Sequence, residues 1–352
     1  MDQTLELLRA ITEVHGVPGY ESEVRALVRR YLEPVGTIEQ DRIGSLVCRV
    51  GEQGPRVMLA GHMDEIGFMV YHVTDDGFLK FHPLGSWWDH VLLGQRVVVK
   101  THKGDRIGVI GAKPPHLIPQ DERSKMVEKR HMYIDIGATS KAEVEEAGVR
   151  LGDPVVPAAD FQVMANGKSY LSKAFDDRVG VALVIDTLRH FARHAHPNVL
   201  YGTATVMEEV GTRGAKTSAE LVNPDVAIIL EADICGDLPG IKPEESAVKL
   251  GGGPSLGLLD ARMIPNLKLR DLVVETAKEL EIPLQFSTMT GGATDGGTIH
   301  IHSIGVPTVV LGVPARHIHS HSSIIHRDDY DLTLKLLLAV VAKLDQETVA
   351  EL

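Results

Sequence analysis

Four apolar runs of this chain end in residues able to bind metal or move protons. RVMLA leads into His62 and Asp64, YGTATVM into Glu208 and Glu209, VAIILE into Asp233, and TVVLGVPAR into His317 and His319. Asp176 and Asp177 stand just before a helix that the pattern starts near Val179. Imidazole plus carboxylate is a donor set that favours zinc, cobalt or manganese over calcium. Two such ions about 3.5–4 Å apart need a bridging carboxylate, and a hydrolase built on them needs a general base within reach of a water. Adjacent glutamates can divide those tasks. Singly, each signal has a plainer alternative: a core histidine at 62, a helix cap at 176–177, a solvated strand end at 208–209, a turn at 233, a surface cluster at 317–321. Their joint placement favours a metal site, because burying so many acids without cations is costly.

These residues must be brought together by the elements between them. Leu5, Leu7, Leu8, Ile11 and Val14 make a helical stripe, and Glu21 to Tyr31 reads as a second helix. Strand signals follow at Ser45 to Val50 and Arg56 to Ala60. From about Phe68 to Pro157 the texture changes to short alternating runs separated by turn residues, such as FMVYHV, TDDG and FLKFHPLG. That is the pattern of hairpins in a small β-barrel or sandwich. Pro114 to Lys125 reads as an exposed loop. Beyond Asp160, helices at Val179 to His194, Leu267 to Leu280 and Leu332 to Leu344 alternate with strands at Val199 to Met207, Val226 to Leu230 and Thr308 to Leu311. Such alternation predicts an α/β sandwich, here in two pieces, 1–66 and 158–352, with residues 67–157 inserted as a β-rich domain. In open α/β sheets the active site forms outside the carboxyl ends of the strands, so residues far apart in sequence can meet there.

Composition narrows the function. A chain of 352 residues with 43% hydrophobic and 24% charged residues has enough apolar material for a large core. A net charge of −12 argues against nucleic acid as a partner. Cys48 and Cys235 form no disulfide framework, the N-terminus is no signal peptide, and no apolar run spans a membrane, so a cytoplasmic protein is expected. GTRGAKTS near Gly211 is not a phosphate loop, because an alanine separates glycine from lysine and two glutamates precede it.

Six segments in order resemble the tetrahedral aminopeptidases, also called glutamyl or deblocking aminopeptidases, some of which carry the name endoglucanase. They are GHMDEIG from Gly61, AFDDRVG from Ala174, MEEVGTRGA from Met207, EADICGDLPG from Glu231, GGATDGGTIH from Gly291 and RHIHSHS from Arg316. The resemblance covers nearly the whole chain. It implies a three-layer αβα catalytic domain with an inserted, PDZ-like β-barrel that serves dimerisation. It implies two divalent ions per subunit, with Asp176 bridging, His62 and Asp233 completing one shell, and Glu209 and His319 the other. Glu208 would be the general base. Asp64 would hydrogen-bond the imidazole of His62, and Asp177 would position the bridging acid across a cis peptide bond. His317 stands where the family often has a tyrosine, and His321 lies nearby; surface groups or donors behind a ligand are favoured over extra ligands.

Family members form hollow twelve-subunit particles built from dimers, which would restrict substrates to unfolded peptides with a free N-terminus. Trp87, Trp88 and Leu92 are candidate contacts between subunits, or barrel core. GGATDGG is expected to line the cleft, with Asp295 either attracting a positive charge or serving a turn. An aliphatic or broad preference for the first residue is expected. Rival readings are a glycosidase, which needs two carboxylates and no metal, a metal-dependent deacylase on the same scaffold, and a metal-buffering protein that would leave Glu208 without a purpose.

Overall fold

The computed structural model describes residues 2–352. Residues outside the inserted segment build one eleven-stranded sheet. Its centre is parallel: Val199–Thr205, Arg56–His62, Val226–Ile234 and Thr308–Arg316 lie side by side and point the same way. These are the near-continuous apolar runs of the sequence, as expected for strands covered on both faces. Alternate residues separate into two cores. Val57, Leu59, Ile228 and Leu230 face one helical layer; Met58, Ala60, Ala227 and Ile229 face the other, with Ala215, Ala219 and Ile299. That period of two makes the unit a three-layer αβα sandwich.

The helix Phe175–Phe191 packs across the sheet and also touches Gln3–Glu13, Ser22–Leu32 and Arg327–Lys343. It is buried on nearly every side rather than amphipathic, because helices as well as strands cover it. Gly61 and Gly180 allow its close approach: a Cβ on Gly180 would come within 2.4 Å of the carbonyl oxygen of Leu230. The strands Ser169–Ser172, Ser255–Asp260, Gln285–Met289 and Ser323–His326 extend the sheet at one side.

Between Gly67 and Pro157, six strands close into an antiparallel barrel. Phe68, Val70, Leu79, Phe81, Val97, Val99 and Ile134 fill it. Trp87 and Leu92 belong to this core; the Trp87 ring stacks on Phe68 at 4.8 Å and its Nε1 donates to the Gly67 carbonyl. Trp88, by contrast, is 65% exposed. Among the described residues no helix is long and apolar enough to cross a membrane.

Candidate active site

The carboxyl ends of the parallel strands gather His62, Glu208, Glu209 and Glu231 at one edge of the sheet, and Asp176 and His319 join them. Asp176 sits between the two imidazoles. Its Oδ1 is 3.2 Å from Nε2 of His62 and its Oδ2 is 3.2 Å from Nε2 of His319. Glu209 Oε1 lies 3.5 Å from the same nitrogen of His319. Glu208 Oε2 and Glu231 Oε2 each lie 3.9 Å from Nε2 of His62. Ligand atoms of His62, Asp176 and Glu209, and again of His62, Asp177 and Glu231, come within 4.8 Å of one another.

Each imidazole is oriented from behind. His62 Nδ1 is 2.9 Å from the carbonyl oxygen of Asp64, and His319 Nδ1 is 2.8 Å from that of Ser86 in the inserted segment. With Nδ1 turned to a carbonyl, each Nε2 faces the centre of the site, where it would offer its lone pair to a cation. The peptide bond between Asp176 and Asp177 is cis. Asp177 turns inward, where its carboxylate accepts the N–H groups of His62 and Gly180, both at 3.0 Å.

Two sequence expectations need correction. The carboxylate of Asp64 does not make the close bond to His62; its Oδ1 is 3.6 Å from Nδ1, and it is the backbone carbonyl that is close. The carboxylate instead accepts the N–H groups of Glu208 and Glu209 at 3.0 and 3.1 Å. Nor does Asp233 join the cluster. In the parallel register Ile229 pairs with Ala60, so the same alignment carried two residues on sets Glu231 level with His62 and Asp233 beyond it. Asp233 Oδ1 accepts the N–H of Ile234 at 2.8 Å and its side chain lines the cleft.

The cluster is short of positive charge. Burial, then the other acids nearby, push the carboxyls of Glu208 and Glu231 well above the usual range. Burial pushes Glu209 to about 7, with Asp176 adding to the effect. Burial also acts to raise Asp176, but its bonds to His319 and His62 outweigh it and hold the group low. Burial opposes charge on His319, yet Asp176 and Glu209 raise it to about 10. This many buried acids around two imidazoles is a donor set suited to divalent cations.

A model of the M42 glutamyl aminopeptidases matches residues 44–336. The chain belongs to this family. It is therefore a hydrolase of the exopeptidase class. The M42 chain is 47% identical to a TET aminopeptidase from the marine sediment archaeon Thaumarchaeota archaeon SCGC AB-539-E09, with a TM-score of 0.98 and 99% of each chain covered. It is 33% identical to the glutamyl aminopeptidase of Lactococcus lactis, again over 99% of each. It is 32% identical, with a TM-score of 0.88, to a Pyrococcus horikoshii TET1 peptidase described as assembling into a tetrahedron or a large octahedral shell; 97% of this chain and 100% of that one are covered.

A cleft of about 890 Å³ opens over the M42 cluster. Ile234, Leu238, Ile241, Leu259, Met263 and Met289 make an apolar wall. Gly291 to Thr294 line it, as the sequence suggests, but Asp295 does not. Asp295 is buried, 2.5 Å from the hydroxyl of Thr205, so it is not poised to meet a substrate's charge. His317 is exposed at the cleft. His321 is not a surface group: it is buried against Trp87, neither ring nitrogen has a hydrogen-bond partner among the described residues, and burial lowers its pKa to about 4.

Sequence reasoning missed three groups here. Glu231 was legible only as the first acid ending VAIIL. Glu65 is buried with Lys173 at 2.5 Å and Arg178 at 3.5 Å, behind the site. Glu21 reaches the same turn from the first loop and accepts the N–H of Met207.

Proposed function

We propose that this chain removes N-terminal residues from peptides using two divalent ions, with Asp176 bridging them. The observation that carries the reading is that the two oxygens of Asp176 each face a different imidazole at 3.2 Å. His62 and Glu231 would hold one ion with Asp176, and Glu209 and His319 would hold the other. The donor set suits zinc, cobalt or manganese. When bound, the ions supply Lewis-acid polarisation of the scissile carbonyl and acidify a water.

Glu208 is the general base. Its Oε2 lies 3.9 Å from Nε2 of His62, beside the groups that would hold the ions, so it is placed to take a proton and return it to the leaving amine. Asp64 fixes the backbone of that residue and the next, which sets where the carboxylate points. The acids on the cleft floor attract the cationic N-terminus of a peptide, and the aliphatic wall favours an aliphatic first side chain.

The resemblance of the whole chain to an assembling TET1 peptidase supports a homo-oligomer built from dimers. The inserted unit, residues 67–157, is the dimerisation domain, and Trp88 is its exposed aromatic contact. Buried free thiols at Cys48 and Cys235 suit the reducing cytoplasm. A glycosidase would rest on a carboxylate pair without metal, whereas the groups here are imidazole-and-carboxylate sets suited to cations.

The test is metal stripping followed by readdition of zinc, cobalt or manganese, with aminoacyl-anilides, N-acetylated amino acids and cellulose as substrates. Activity on the free-amine anilides that disappears with a chelator and returns with metal supports the reading. A rigorously metal-free sample with full activity overturns it, and hydrolysis of the acylated substrates alone would favour a deacylase.

A further inference from the structure

Met207, Glu208 and Glu209 present three successive backbone N–H groups, and two carboxylates take all three. Asp64 accepts from Glu208 and Glu209. Glu21 Oε1 accepts from Met207 at 3.0 Å, and the same oxygen accepts from Gly19 at 2.8 Å. Met207 has a φ of +54°, a left-handed conformation that a non-glycine residue keeps only when its surroundings hold it.

We propose that Glu21 is a positioning residue for the reaction: by holding the N–H of Met207 it fixes the turn that aims Glu208 and Glu209. The inference rests on the reading of Glu208 as general base.

A plainer role for Glu21 does not fit. It stands at the N-cap of the helix Ser22–Leu32, yet its side chain makes no capping hydrogen bond. Burial and then Asp64 raise its carboxyl, backbone N–H groups that include those of Gly19 and Met207 act against them, and Arg178 interacts with it electrostatically without approaching to ion-pair distance. It is 2% exposed, so it is not a solvated surface acid either. What remains is an acceptor carried by the loop between the first two helices and delivered to the residue that precedes the base.

The test compares E21Q, E21D, E21A and E208Q in metal-reconstituted enzyme. E21Q keeps the reach and loses the charge; E21D keeps the charge and draws the oxygen back by one methylene. The expected result is a kcat about tenfold to a hundredfold lower in E21A and E21D, with KM within about threefold of wild type. E21Q recovers most of that turnover. A second readout is the chelator concentration that strips half the metal. It falls in E21A and E21D, because Glu209 rides on the same turn, and stays near wild type in E21Q. If E21A does not fold, E21D against E21Q carries the comparison.

Wild-type turnover and chelator resistance in E21D would overturn the proposal. So would an E21Q as slow and as easily stripped of metal as E21D. A fully active E208Q would sink the general-base reading itself, whereas an inactive E208Q beside a fast E21D would sink only the role of Glu21.

Discussion

Nδ1 of His319 lies 2.8 Å from the carbonyl oxygen of Ser86, so a loop of the inserted barrel orients an imidazole of the catalytic sandwich. The neighbouring residues join in. Trp87 packs its ring 5.2 Å from that of His321, and Gly85 passes close to Glu209. The barrel is thus a wall of the site as well as a separate core.

Gly85 has a φ of +84°, and a Cβ there would meet Ile66 Cγ2 at 2.4 Å and Glu209 Oε2 at 3.0 Å. Gly85→Val must therefore move the loop, Glu209, or both. We expect at least about a tenfold loss of aminopeptidase activity and easier metal loss to a chelator. Titration of metal release against chelator concentration, beside kcat, checks this. Unchanged release would mean that the loop does not shape the ligand set.

Glu231 and Asp233 make opposite forecasts. Glu231→Ala should leave about one tightly held ion per subunit, whereas Asp233→Asn should keep both, because the Asp233 side chain accepts from Ile234 instead of facing His62. Elemental analysis after gel filtration reads the difference. An Asp233→Asn protein lacking an ion while Glu231→Ala is replete would reverse the assignment.

What was readable beforehand follows from the physics of each element. RVMLA, VAIIL and TVVLG declare themselves because strands buried on both faces must be apolar throughout. Edge strands such as Gln285–Met289, with alternate residues exposed, carry no such run and pass unnoticed. His62, Asp176, Glu208, Glu209 and His319 were legible as a set, because six motifs in order leave little freedom. The choice between Glu231 and Asp233 was not, since the two lie two residues apart on one strand and share its face by period; only the register with Arg56–His62 separates them. The burial of His321 was equally hidden, because the ring that covers it, Trp87, belongs to the barrel.

Glu208→Gln tests the base directly. The amide keeps the shape and removes proton transfer, so kcat should fall by roughly a thousandfold, within the 10²–10⁴ range for a general base. Metal content should stay at the wild-type level, because Glu209 and not Glu208 faces His319. Equal activity in the variant would refute the role.

Glu21 also makes a prediction about stability against pH. Burial, then Asp64, raise its carboxyl from the ordinary 4.5 to about 7 in the folded protein. A group whose folded pKa is raised binds its proton more tightly folded than unfolded. The stability this contributes is fully present below about pH 4.5 and is lost as pH rises through about 7. The interval corresponds to roughly 3 kcal/mol at most. Glu21→Gln has no such proton, and its amide oxygen still accepts from Gly19 and Met207. The stability of wild type relative to E21Q should therefore decline between pH 4.5 and 7.5, with E21Q gaining the advantage at the alkaline end. Denaturant unfolding of both metal-free proteins across that interval measures it. A difference that stays constant with pH would mean that Glu21 titrates at its ordinary value and is less confined than its position beside Asp64 requires.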